Sequence, residues 1–180
     1  MANHLDKATL AGGCFWCTEA LFERLKGVES VESGYSGGDT DNPTYEDVSA
    51  GSSGHAEAIQ IVFDPSVLAY QELLEVFFAT HDPTTLNQQG ADNGPQYRSA
   101  IFYHSDEQRV IAERMRDDLD ASGKFSDPIV TQIEPFREFY PAEAEHQQFF
   151  QNNPTQGYCQ VVIDPKVQKL ITQFPDKIAD

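Results

Sequence analysis

Basic residues are scarce in this chain. Twelve Lys and Arg stand against 29 Asp and Glu in 180 residues, a formal net charge of −17 at pH 7. Such a surface repels polyanions at long range, so nucleic acid and anionic membrane faces are not expected as partners. Cysteine is equally sparse: the three present are an odd number, which does not suit a secreted disulfide framework. Cys14 and Cys17 lack a second ligand pair nearby, so no metal site is expected. Long apolar runs are missing as well, and Met1-Ala2-Asn3-His4-Leu5-Asp6-Lys7 has no basic segment followed by an apolar core. A soluble, cytoplasmic monomer is the expectation.

Against these absences, two of the three cysteines and the only tryptophan fall in Cys14-Phe15-Trp16-Cys17, directly after Gly12-Gly13. The run Lys7 to Leu10 predicts a strand that stops at these glycines. Phe15, Thr18, Phe22 and Leu25 recur at helical spacing, predicting a helix from Cys14 to Lys26 with Glu19 and Glu23 facing water. Val28 to Tyr35 reads as a strand, followed by a long loop without a helix of its own that reaches His55.

His55 to Phe63 alternates, with Glu57, Ile59, Ile61 and Phe63 on one face. Tyr70 to Phe78 fits a largely buried helix, and Thr84 to Gln96 is irregular and carries Asp92. Tyr97 opens a strand to Tyr103. Ser105 caps a helix to about Asp120 that Ser122-Gly123 closes, with Val110, Ile111 and Met115 on its apolar face. A strand near Ile129 to Ile133, a short helix from Ala142 to Phe150 and strand-like Val161-Val162-Ile163 follow.

This order of strands and helices predicts an α+β fold of two layers, one domain over residues 1–180. Its core is a split βαβ, ferredoxin-like arrangement with a mixed or antiparallel sheet and long loops.

A thiol in the first turn of a helix feels unpaired N–H groups and the positive end of the helix dipole, which favour thiolate. Cys14 is therefore the candidate nucleophile. Cys14-x-x-Cys17 also fits a general thiol–disulfide oxidoreductase. A carboxyl on the apolar face of a strand is desolvated and titrates high, so Glu57 is a candidate proton donor. Tyr45 and Tyr97 rim two glycine-rich loops, and together these groups describe a cleft that attacks with sulfur and protonates oxygen.

A series of motifs in order makes a family resemblance plain. Gly13-Cys14-Phe15-Trp16, Gly34-Tyr35-Ser36-Gly37-Gly38, Asn42-Pro43-Thr44-Tyr45, Gly54-His55-Ala56-Glu57-Ala58, His81-Asp82-Pro83, Gln96-Tyr97-Arg98-Ser99 and Gly157-Tyr158-Cys159 are similar to those of peptide methionine sulfoxide reductase A. The match spans Gly12 to about Cys159. The resemblance implies reduction of the S epimer of methionine sulfoxide, free or in proteins. It makes Cys14 the nucleophile, Glu57 the proton donor, Tyr45 and Tyr97 hydrogen-bond donors to the oxygen, Phe15 and Trp16 the cradle of the methyl group, and Asp92 an organiser of the polar side.

A sulfenic acid on Cys14 would then condense with a second thiol, and thioredoxin, or dithiothreitol in the test tube, would reduce the disulfide with no bound cofactor. Two residues depart from the pattern: many members have glycine at Cys17, and Pro95 replaces the usual threonine. Cys159 matches the family's resolving position but lacks a glycine-rich tail after it, and Cys17 is nearer in sequence, so both stand as resolving candidates.

Overall fold

A computed structural model describes residues 4–179; Met1 to Asn3, part of the N-terminal stretch read above, and Asp180 lie outside them. Six strands form the main sheet: β1 (Asp6–Gly12), β2 (Val28–Ser36), β3 (Ala56–Phe63), β6 (Ser99–Tyr103), β7 (Gln132–Pro135) and β8 (Phe139–Pro141). Their order is β7-β6-β1-β3-β2-β8. Within it β6-β1-β3-β2 is fully antiparallel, with β3 inserted between β1 and β2, which is the expected split βαβ core. The edge strand β7 adds in parallel to β6, and β8 adds antiparallel to β2, so the whole sheet is mixed.

Period-two alternation assigns the two faces of the sheet. Leu10, Ile59, Ile61, Phe63 and Ile101 point to the larger core, which α1 (Phe15–Phe22) and α3 (Tyr70–Thr80) cover with Leu21, Phe22, Leu73, Leu74 and Phe77. Each such side chain contributes about 1.5–3 kcal/mol on removal from water. The opposite face carries small residues, Ala11, Ala56, Ala58 and Ala100, packed with Phe102. Glu57 belongs to the first face and is 1% exposed.

The remaining helices are α2 (Tyr45–Ser49), α4 (Asp106–Ser122), α5 (Phe149–Asn152) and α6 (Asp164–Gln173). The expected caps of α4 form: the Ser105 hydroxyl accepts from the Gln108 N–H, and Gly123 ends the helix at φ 74°. No helix among the described residues is long and apolar enough to cross a membrane.

Several sequence expectations are corrected. The loop after β2 does contain a helix, α2, because Thr44 and Asp47 form a reciprocal capping box. Glu19 does not face water; it is 1% exposed, its carboxylate taken by the Gln148 N–H. Val110 on α4 is 45% exposed, outside the buried stripe. The stretch 142–150 is a 3-10 turn, Ala144–His146, and the single-turn α5, separated by Gln148 at φ 52°. Val161-Val162-Ile163 is helical, part of a π turn, Cys159–Ile163, that runs into α6 and buries Ile163, Val167 and Leu170. Here tertiary packing on α1 overrides the β propensity of valine and isoleucine. The irregular stretch before β6 holds a two-residue hairpin, β4 (Gln88–Gln89) with β5 (Asp92–Asn93).

Candidate active site

Strand β1 delivers the chain to Gly12, and Gly13 turns it at φ 93° with the Gln89 side chain so close that a Cβ would lie 2.7 Å from it. This tight turn places Cys14 at the N-cap of α1, with extended φ −63° and ψ 129°, and not inside the first turn as expected. Its carbonyl accepts from the N–H groups of Cys17 (3.1 Å) and Thr18 (3.4 Å). The next free N–H, that of Phe15, donates to Glu57 Oε1 at 3.1 Å. One helix start and one strand end thus bring the candidate nucleophile and the candidate acid together.

Burial, reinforced by Asp92 and the Cys17 charge, pushes the Glu57 carboxyl up to about 8 against the opposing hydrogen bond from the Phe15 N–H. Glu57 is therefore a neutral acid at pH 7, as the apolar strand face predicts. The expected thiolate on Cys14 is corrected. Crowding of its sulfur by protein, with Cys17 and the Glu57 charge next to it, holds its pKa well above the ordinary thiol range. At an N-cap beside a carboxyl, desolvation outweighs the helix dipole. Cys17 goes the other way: the Cys14 thiol beside it lowers it to about 7 despite burial, helped by Lys166 and Tyr158. Of the adjacent pair, negative charge rests more easily on Cys17.

Tyr45 opens α2, and Tyr97 ends a 3-10 turn, Pro95–Tyr97, before β6; it does not open the strand. Burial first and the Glu57 charge second raise both phenols, so both stay protonated donors. Asp92, in β5, accepts from the Tyr158 hydroxyl at 3.1 Å. Trp16 is half-buried and stacks on Phe149 with centroids 3.8 Å apart. Phe15 is fully covered, its ring near Tyr35, Tyr45 and His146, so it forms the wall behind the cleft and offers no open surface for a cradle.

The stretch Glu143 to Tyr158 supplies groups that sequence reasoning missed. Glu143 Oε1 accepts from the Tyr35 hydroxyl and Oε2 from the Tyr45 N–H, each at 2.9 Å, which ties the first residue of α2 to this stretch. His146 stacks on Tyr45 at 4.3 Å and accepts on Nδ1 from the Trp16 indole N–H at 3.3 Å. A carboxylate and an imidazole three residues apart, with aromatic neighbours, was the available signal. Reading residues 142–150 as one short helix hid it. Cys159 is fully buried within the π turn. Two open clefts, of about 460 and 630 Å³, are lined by other residues and hold none of this chemistry.

A thiol, a neutral buried carboxylic acid and two phenols around one helix N-terminus define a thiol-based oxidoreductase that handles an oxygen atom. Comparison with known proteins is more specific. The chain matches the profile of peptide methionine sulfoxide reductase over residues 6–178 and belongs to that family. It is 58% identical to a peptide methionine sulfoxide reductase MsrA 1 of Rhodopirellula baltica over 173 residues, 96% of this chain and 89% of the relative. Among solved structures, reduced Mxr1 from Saccharomyces cerevisiae superposes with a TM-score of 0.79 at 36% identity, covering 86% of this chain and 89% of that one. Mxr1 in complex with Trx2 superposes with a TM-score of 0.56 at 29% identity over 83% and 89%.

Proposed function

We propose that this enzyme reduces the S epimer of methionine sulfoxide, free or in proteins, to methionine. The observation that carries the reading is the meeting of Cys14 with a Glu57 that is protonated at neutral pH. The Cys14 sulfur attacks the sulfoxide sulfur while Glu57 gives a proton to the oxygen, and the Cys14 proton replaces the one Glu57 loses. Tyr45 and Tyr97 donate to the oxygen as negative charge builds there. The Trp16 indole takes the methyl group against the wall formed by Phe15.

The oxygen passes to Cys14, leaving methionine and a sulfenic acid, which Cys17 or Cys159 converts to a disulfide. Thioredoxin then restores the thiols; the complex of yeast Mxr1 with Trx2 supports that partner. No bound cofactor takes part in these steps. Family membership sets aside a general disulfide oxidoreductase, the other activity that Cys14-x-x-Cys17 allows.

Purified sulfoxide epimers test the reading with dithiothreitol as reductant. The S epimer should be consumed and the R epimer left. Turnover of the R epimer alone, or of insulin disulfides with neither epimer, would overturn it.

A further inference from the structure

We propose that Cys17, not Cys159, is the thiol that first closes on oxidised Cys14, and that Tyr158, tethered by Asp92, positions its sulfur. The inference rests on the reductase reading for the origin of the sulfenic acid. Cys17 lies one turn after Cys14, its N–H bonded to the Cys14 carbonyl at 3.1 Å, so both residues lie on the same side of the helix start. Cys14 has extended N-cap angles outside the helix, which leaves its side chain free to turn toward Cys17 without unwinding α1. The Cys17 sulfur is 3.6 Å from the Tyr158 hydroxyl, and that hydroxyl is 3.1 Å from Asp92 Oδ2.

Cys159 is placed differently. It is fully buried in the π turn and belongs to the same core cluster as Ile163 of that turn and Val167 and Leu170 of the helix that follows. Moving it carries along Tyr158, whose ring meets Trp16 edge-on and whose hydroxyl serves Cys17 and Asp92. Burial also disfavours ionisation of the Cys159 thiol, and the Cys17 charge adds to this. The closure conserves atoms and electrons. The Cys17 sulfur attacks the Cys14 sulfur, the S–O bond breaks, the S–S bond forms, and the departing oxygen takes the Cys17 proton and its own to leave as water.

The groups facing the Cys17 sulfur are Cys14 on its own helix, Glu57 from β3, Tyr158 and Cys159 at the π turn, Asp92 from the hairpin and Lys166 from α6. Tyr158 therefore acts on closure through Cys17.

Pre-reduced enzyme is mixed with an excess of S-sulfoxide peptide without reductant, quenched in acid at the first time points, alkylated and mapped. About one equivalent of methionine tests the sulfoxide reading, and the disulfide map tests the inference separately. The expected map is Cys14–Cys17 with Cys159 alkylated, both in the wild type and in Cys159→Ala. Cys17→Ser should accumulate a Cys14 sulfenic acid trapped by dimedone. Tyr158→Phe and Asp92→Asn should slow closure by about tenfold, and Tyr158→Phe should shift the pH midpoint of closure, which loss of packing alone would not do. A first-formed Cys14–Cys159 bond, or closure at the wild-type rate in Cys17→Ser, overturns the proposal. If no methionine forms, the sulfoxide reading fails; Cys14 oxidised with one equivalent of hydrogen peroxide then shows, by the same disulfide map, whether Cys17 or Cys159 closes first.

Discussion

Glu57→Gln separates the catalytic value of the buried carboxyl from its cost to the fold. Glu57 is 1% exposed and ionises at about 8 in place of 4.5. A carboxyl whose folded pKa is raised gives its full stability below 4.5 and loses it progressively as pH rises to 8. Each tenfold in ionisation is worth about 1.4 kcal/mol, so the wild-type side chain weakens the fold by about 3 kcal/mol at pH 7 and about 5 kcal/mol above pH 8. Glutamine keeps an oxygen for the Phe15 N–H, 3.1 Å away in the wild type, and cannot ionise. Urea denaturation of both proteins from pH 4 to 9 should show near-equal stability at pH 4 and a growing advantage of the variant up to pH 8. Its kcat/KM should fall by about 10²- to 10⁴-fold, as for loss of a general acid. A stability gap that does not change with pH, or a wild type that is the more stable at pH 8, refutes the reasoning.

Other perturbations probe separate parts of the site and fold. Tyr45→Phe and Tyr97→Phe should each lower kcat/KM by about 10- to 100-fold through loss of a donor to the oxygen, measured with the S-sulfoxide peptide. His81 is lowered to about 4 by burial, against its bond to the Phe77 carbonyl and with Lys166 as a further lowering influence. Its stabilising effect is complete above 6.5 and fades as pH falls toward 4, so His81→Gln should flatten that part of the acid limb in thermal melts. A Cβ on Gly38 would collide with the His55 backbone nitrogen, and Gly38→Ala should cost about 3 kcal/mol or more in denaturation.

What sequence could and could not reveal follows from where each signal lies. The sheet core was legible because Glu57, Ile59, Ile61 and Phe63 alternate in β3, and the same alternation exposed Glu57 as a buried acid. The glycine pair before Cys14 predicted the end of the first strand, and β1 ends at Gly12. Ionisation of Cys14 was not legible. The helix dipole is a local property, but the crowding of its sulfur and the Glu57 beside it are tertiary. The region from Glu143 to Ile163 was misread for a related reason. Its residues are shaped by long-range partners: Glu143 by Tyr35 and Tyr45, His146 by Trp16, and Gln148 by Glu19. Valine and isoleucine in Val161-Val162-Ile163 favour strand locally, but burial of Ile163, Val167 and Leu170 makes the segment helical.

The most direct test of the central claim is a single-turnover experiment on Cys14→Ser beside the wild type, with S-methionine sulfoxide peptide and dithiothreitol. The wild type should convert the peptide, and the variant, with Glu57, Tyr45 and Tyr97 all in place, should release no methionine above the uncatalysed rate. Methionine formation by Cys14→Ser at a rate near that of the wild type would contradict the role of Cys14 as the nucleophile.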